Sequence, residues 1–482
     1  MSPERMRLLF LVASSGASAV VVWTAANPLP HPGGDNAGYI ALAHGLLANG
    51  TYTDVFDPEA LPHTKYPPIF PFVLALLMAL GARTWTAFKA VAAVATVVSV
   101  AFTYLWAERI LRPAGAFAVA LLVALSVGVV YYSQWVLSDP VFLAFTMVAL
   151  YAVARADEED GLDHRWVAVG VVAVGLAYFT RSAGLPLVLA VLGWLTVRRA
   201  WRPLAAASVV LGLPMVAWWL RARSVQGVAQ YASEFWMVNP YDPSLGTVGV
   251  GGLVGRVVEN AVGYATTHLP GGVVGADAPA LALFGIALVA ASCAGWGIRL
   301  REGPGPAELF YPLYWGVVLL WPVVWSGDRF ALPLLPLAFV YGAVALHAAT
   351  RRLPDAVVPV AATVVVLAML FPAIDGWRRA VETASACPAD VRERDVWACY
   401  GGGVQSFMAA AAWSGEGLPD DARVLSRKPR HFYLQSGVPS RAFAFFEEPE
   451  PHLELADALG ARYILLDQWD GFARRYVASA VT

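Results

Sequence analysis

The chain has 482 residues, of which 58% are hydrophobic and 14% charged, with a mean hydropathy of +0.58 and a formal net charge of −2. Soluble globular domains carry about a quarter of their residues as charges, so this composition excludes that class and points to a polytopic membrane protein. The basic residues are scattered at the ends of apolar runs instead of forming one face, which gives no reason to expect a nucleic-acid partner.

Apolar runs near 20 residues span a hydrocarbon core about 30 Å thick, because each helical residue rises about 1.5 Å. About eleven such runs follow in chain order, at 8–26, 85–108, 113–131, 138–155, 165–180, 183–198, 203–221, 278–298, 309–325, 329–349 and 355–373. The first also fits a cleaved signal peptide, with Arg5 and Arg7 ahead of it and the small residues Thr24-Ala25-Ala26 behind. With the N-terminus in the cytoplasm, the inner turns hold Arg109 and Arg112, Arg155 and Arg165, Arg198, Arg199 and Arg202, Arg299 and Arg301, and Arg351 and Arg352. The opposite turns 131–137 and 326–328 contain no Lys or Arg, as the positive-inside rule requires.

This alternation closes only if the apolar segment Pro67–Leu80 does not cross. It is short for a span and opens with a Pro-Pro pair, which suits an interfacial or re-entrant helix on the outer face. Ala37–Leu47, with its apolar Ile40, Leu42, Leu46 and Leu47, reads as a second helix lying along that surface. The outer regions are then the loops 27–84 and 222–277 and the tail. We expect a membrane module over 1–373 and an outer domain over 374–482. In the tail, Ala422–Ser426 and Ala461–Leu466 flank the helix-like Pro451–Leu459, the pattern of a small α/β domain. Cys293 falls in a span, where a buried apolar role is simplest; Cys387 and Cys399 fall in the outer tail and pair if the compartment is oxidising.

The topology gathers ionisable residues at the outer boundary. Asp35 lies in the first outer loop, in Gly33-Gly34-Asp35-Asn36, and Lys65 precedes Tyr66-Pro67-Pro68. Asp139 opens the fourth span, Arg181 occupies the next outer turn, and Asp328-Arg329 opens the tenth. Each has a plain structural reading: Asp139 before Pro140 fits a helix N-cap, Asp35 beside two glycines fits an Asx turn, and Arg181 or Arg329 could anchor a helix end to headgroups. Their shared placement favours chemistry at the membrane surface.

Gly34-Asp35 with Tyr39 four residues on, Lys65-Tyr66-Pro67-Pro68, Ser138-Asp139 and Asp328-Arg329-Phe330-Ala331-Leu332-Pro333 together resemble the GT-C integral-membrane glycosyltransferases. Within these the likeness is to the group of protein O-mannosyltransferases and the lipid A aminoarabinose transferase. The resemblance implies a GT-C-like α-helical membrane fold and transfer of a sugar from a polyprenyl-phosphate-linked donor to a lipid, glycan or protein acceptor. It places that reaction at the periplasmic or extracellular face of the cytoplasmic membrane, among membrane lipids. Carried onto this sequence, Asp35 and Asp139 are the catalytic carboxylates, Lys65, Arg181 and Arg329 take the donor phosphate, and Tyr39 and Tyr66 contact substrate. Asp35 and Asp139 are also the candidates for holding a divalent metal cation, the one cofactor implied. Thr64 stands where the aminoarabinose transferases carry a Glu, which removes one carboxylate from such a site.

Chemically, a carboxylate such as Asp35 suits the removal of an acceptor proton, and cations suit the negative charge that gathers on a departing phosphate. Two other classes share the topology. A transporter would need polar groups or broken helices at the bilayer midplane, where these spans carry few ionisable residues. A non-catalytic envelope assembly scaffold would leave Asp35 and Asp139 freely replaceable.

Overall fold

The computed structural model describes residues 2–158, 161–226, 230–275, 279–351 and 357–478. Helices dominate. The first is α1 (Pro3–Thr24), followed by α2 (Gly34–Asn49), α3 (Ile69–Ala79), α4 (Trp85–Ala107), α5 (Pro113–Leu125), α6 (Val127–Ser133) and α7 (Asp139–Ala156). A short hairpin of β1 (Asp157–Glu158) and β2 (Gly161–Leu162) leads to α8 (His164–Thr180), α9 (Leu185–Val197) and α10 (Trp201–Gln226). Then come α11 (Gln230–Trp236), α12 (Val250–Gly263), α13 (Leu269–Val274), α14 (Pro279–Glu302), α15 (Pro306–Leu320), α16 (Asp328–Ala331), α17 (Leu334–Thr350) and α18 (Val357–Ser385).

Local chemistry sets several boundaries. Proline supplies the first turn of α5, α7 and α9, where its missing N–H costs nothing. Thr84 and Asp163 cap α4 and α8 through their side chains. Five helices among the described residues are long and apolar enough to cross a membrane, namely α1, α4, α7, α10 and α14, and the pair α5 and α6 makes a sixth if its 54° bend at Ser126 is counted within one span. Helices α8, α9 and α17 are shorter apolar helices in the same bundle. A helix occupies each of the eleven predicted runs, although Arg352 and residues 355–356 lie outside the described residues.

The structure corrects the predicted outline in two places and adds the surroundings of a third. The tenth run is interrupted at Pro333, so that α16 carries Asp328 and Arg329 and α17 begins only at Leu334. The helix α2 forms where expected, and its residues Asn36 to Ala43 are all buried, between α3 and a helix of the tail. Cys293 is exposed on α14, on the flank of the bundle, and is not a core residue. The segment α3 is an 11-residue helix packed on α2, shorter than a span, in keeping with its Pro-Pro opening.

The tail contains α19 (Ala389–Arg394), α20 (Gly402–Gly417), β3 (Val424–Leu425), α21 (Pro429–Ser436), β4 (Ser440–Arg441), α22 (Glu450–Leu459) and β5 (Tyr463–Ile464). Its three strands form a parallel sheet in the order β4-β3-β5, around buried Phe407, Phe432, Leu425 and Phe443. A disulfide joins Cys387 to Cys399 at the foot of this unit, with the two Cα atoms 5.7 Å apart. The main core of the molecule runs through the bundle from Tyr104 on α4 to Tyr341 on α17.

Candidate active site

The site lies where the ends of α7, α8 and α16 meet the loop region 27–84. Arg329, at the start of α16, extends its guanidinium between two carboxylates: Nη1 donates to Asp35 Oδ2 at 2.7 Å and Nε donates to Asp139 Oδ2 at 2.8 Å. Arg181, just past the end of α8, takes the other oxygen of Asp139 at 2.8 Å and lies with its guanidinium 5.4 Å from the Phe330 ring centre. Two arginines therefore share one buried carboxylate, and one of them reaches on to Asp35. Asp139 does not cap α7, because its side chain is spent on these two arginines.

Asp35 occupies the first turn of α2, so the positive end of that helix also favours its charge. The Tyr66 hydroxyl donates to Asp35 Oδ1 at 2.6 Å, and Arg430 from α21 lies 3.9 Å from the same oxygen. Burial alone would raise this carboxyl. That is the largest single effect, but the Arg329 guanidinium, the Tyr66 hydroxyl and Arg430 together outweigh it, and the group is held well below the usual carboxylate range. Tyr66 is in turn fixed by His63, whose Nε2 accepts the Tyr66 backbone N–H at 2.7 Å while Nδ1 faces Asp54 at 2.8 Å. This leaves Nδ1 as the donor to Asp54. Arg221 of α10 pins the loop by donating to the carbonyls of His63 and Tyr52.

These groups border a cavity of about 590 Å³. Asp35, Tyr39, Lys65, Tyr66, Arg181 and Arg329 all line it, so the predicted residues converge with one exception. Asp139 lies behind the two arginines, 4% exposed, and acts on the cavity through them. Tyr39 reaches Ser138 through its hydroxyl at 2.8 Å. Lys65 pairs with Glu234 of α11 at 2.8 Å and lies over the Trp325 ring, which ties α11 to the loop before α3. Most of the remaining wall is aromatic and aliphatic, with Tyr241, Tyr314, Val317, Val318, Trp321, Trp325 and Phe330, and Thr180, Ser182 and Ser326 add hydroxyls. Asp328 adds a further carboxylate, which accepts from the Tyr132 hydroxyl at 2.7 Å.

Three participants escaped the sequence reading. Glu234 and Tyr241 lie in a loop whose Gly-, Pro- and Trp-rich composition marks it as irregular without saying what it touches. Arg430 sits in a tail helix almost 400 residues from Asp35, and no spacing rule links the two. For metal binding, no group of three or more His, Cys, Asp or Glu side chains converges among the described residues. The space between Asp35 and Asp139 is spanned by Arg329, so a divalent ion held by both would have to displace that side chain. The residues present do not fit such an ion.

An arginine bridging two carboxylates in a half-apolar cavity, at the boundary of a helical membrane bundle, defines an integral-membrane protein with a polar site at one face. The fold is that of the GT-C glycosyltransferases, and the resemblance drawn from the sequence is borne out. A family model described as dolichyl-phosphate-mannose-protein mannosyltransferase matches residues 65–220. The chain is similar to the Archaeoglobus fulgidus oligosaccharyltransferase crystallised with Zn and sulfate, at 16% identity and a TM-score of 0.59, over 94% of this chain and 67% of that one. It is similar to AglB from the same organism in complex with an inhibitory peptide and a dolichol-phosphate, at 15% identity and a TM-score of 0.57, over 95% and 69%. Cupriavidus metallidurans ArnT bound to undecaprenyl phosphate matches at 12% identity and a TM-score of 0.52, over 92% and 86%. No curated protein matches the sequence.

Proposed function

We propose that this chain is a glycosyltransferase that moves a sugar from a polyprenyl-phosphate-linked donor to a lipid, glycan or protein acceptor at the outer face of the cytoplasmic membrane. The observation that carries the reading is the Arg329 bridge at the edge of a cavity that is charged on one side and aromatic on the other. A lipid phosphate sugar has that same division, with an anionic head and an apolar tail. The solved structures of similar fold that hold dolichol-phosphate or undecaprenyl phosphate support the choice of donor.

In this reading the bond between the anomeric carbon and the phosphate oxygen breaks, and the acceptor forms the new bond to that carbon. Asp35 receives the acceptor's proton. Its strong ionisation makes it a weak base in the ground state, and the acceptor becomes acidic enough to yield its proton only as the new bond forms. Arg329, Arg181 and Lys65 stabilise the charge that collects on the departing lipid phosphate. Each is held by a carboxylate before the donor arrives, so the cations are aimed in advance and need little reorganisation. Asp139 orients the two arginines, Tyr66 orients Asp35, and Tyr39 lines the cavity as a substrate contact. Arg329 supplies positive charge at both carboxylates.

The alternating arginine pattern supports a cytoplasmic N-terminus, an outer site, and a tail that acts as an outer domain beyond residue 373. To test the function, purified protein in nanodiscs is given the polyprenyl-phosphate sugars extracted from its own membranes together with the membrane acceptor fraction. Release of free polyprenyl phosphate is followed by mass spectrometry. The parent should release it and Asp35→Asn should not; equal release by both, or none by the parent, refutes the reading.

A further inference from the structure

The tail is bound to the site itself and not merely hung beside the membrane. Arg430 on α21 passes its guanidinium into the first outer loop, where Nη1 donates to the Tyr66 hydroxyl at 3.1 Å and to the Gly34 carbonyl at 3.4 Å, with Asp35 Oδ1 at 3.9 Å. The guanidinium lies 5.4 Å from the ring centres of both Phe56 and Tyr66. His431, the next residue, donates from Nε2 to the His31 carbonyl at 3.1 Å. Further out, Arg441 binds Asp57 and Glu59, and the Ser440 N–H donates to the Phe56 carbonyl at 2.7 Å.

A second observation points to the same contact. Gly38 sits in the interior of α2, where glycine costs about 1 kcal/mol relative to alanine. A Cβ at that position would lie 3.0 to 3.2 Å from Nη1, Cδ and Cζ of Arg430. The helix accepts a weak helix former at the one place where the arginine stem crosses it.

We propose that Arg430 is a positioning residue for sugar transfer, which holds the Tyr66–Asp35 pair from behind, so that the site is complete only when the C-terminal domain is docked. The proposal rests on the transfer reading above. Arg430 does not line the cavity; it acts through Asp35 and Tyr66. Asp35 is faced by Arg329 from α16, Tyr66 from the loop before α3, His31 ahead of α2, Tyr39 on α2 itself, Asp139 from α7 and Arg430 from α21. Removing Arg430 withdraws one of the two guanidinium groups beside the carboxylate, and its ionisation then moves up in pH.

The test is a pH–rate profile with extracted polyprenyl-phosphate sugars in nanodiscs, for the parent, Arg430→Ala, Arg430→Lys, Gly38→Ala and Arg441→Ala. We expect Arg430→Ala to lose at least 10-fold in rate at saturating donor, with the donor KM changed less than about twofold and the acid limb displaced to higher pH. Arg430→Lys should recover part of the rate. Gly38→Ala, a change that favours the helix, should reproduce the rate loss by crowding the guanidinium. Arg441→Ala removes a contact of the same domain remote from Asp35 while Arg430, His431 and the Ser440 N–H keep the domain docked, and should leave the acid limb in place. If Arg430→Ala fails to fold, Arg430→Lys and Gly38→Ala decide the matter, and parental profiles for both overturn the proposal. A parent active on donor, with Arg430→Ala matching Arg441→Ala in rate and profile, refutes this role alone. A parent that consumes no donor refutes the transfer reading itself.

Discussion

Replacing Arg329 by alanine removes the side chain that bridges Asp35 and Asp139. A hydrogen bond to a charged group contributes about 1.5–3 kcal/mol. The Asp139 arm is nearly buried and belongs at the upper end of that range, about 3 kcal/mol, while the Asp35 arm opens on the cavity and belongs at the lower end, about 1.5 kcal/mol. Folding keeps part of this, because Arg181 still holds Asp139 and Tyr66 still holds Asp35. The catalytic loss is not compensated, since neither neighbour stands between the carboxylates. A 3 kcal/mol loss of transition-state stabilisation is roughly 150-fold in rate. Arg329→Lys keeps the charge but has no planar fork to bridge two acceptors, so it should rescue weakly. The assay is release of polyprenyl phosphate in nanodiscs, with thermal unfolding measured on the same samples. Arg329→Ala protein that unfolds with the parent and retains more than a third of its rate would refute the bridge as the centre of the site.

Asp35→Asn preserves the shape and one acceptor of the site but removes most of its basicity, so transfer should fall about 100-fold or more while expression stays normal. Loss of Lys65 or Arg181 to alanine should cost about 1.5–3 kcal/mol, roughly 10- to 150-fold in donor-dependent rate, read from rate against donor concentration. Burial, with Lys89 and Arg329 nearby, pushes His31 down to about 4, and burial pushes His431 down to about 3. Between pH 6.5 and about 4 the unfolded chain binds more protons at these rings than the folded one, so tail docking should weaken as pH falls through that window. Protease resistance of the tail at pH 7.5 and pH 5 measures this, and His431→Gln should flatten the difference. Labelling of cysteines placed at Ser244 and Gly161, with the native cysteines removed, should give opposite accessibilities in intact cells.

Hydropathy and arginine parity were enough to bring Asp35, Lys65, Arg181 and Arg329 to one boundary, because a helix must cross completely and so its ends alternate between faces. They could not distinguish Asp139, buried behind the arginines, from Asp35, which opens on the cavity, since depth within a helix end leaves no trace in a hydropathy pattern. The bend at Ser126 and the break at Pro333 are equally invisible to a sliding window, although Pro333 offers a local hint. The tail strand Val424–Leu425 fell within an apolar run because a buried parallel strand reads as a continuous hydrophobic segment, whereas Tyr463–Ile464, at the sheet edge, is only partly buried although its sequence is equally apolar. The docking of Arg430 depended on tertiary contacts across the whole chain, and only Gly38, a glycine inside a helix, gave a local sign that something passes close by.

The most direct measurement of the central claim is the lipid profile of cells depleted of this protein and complemented in turn with the parent chain and with Asp35→Asn. The account predicts that a polyprenyl-phosphate-linked sugar accumulates on depletion, is cleared by the parent, and persists with Asp35→Asn expressed at the parental level. Clearance by Asp35→Asn, or depletion without any lipid-linked sugar accumulating, would contradict it.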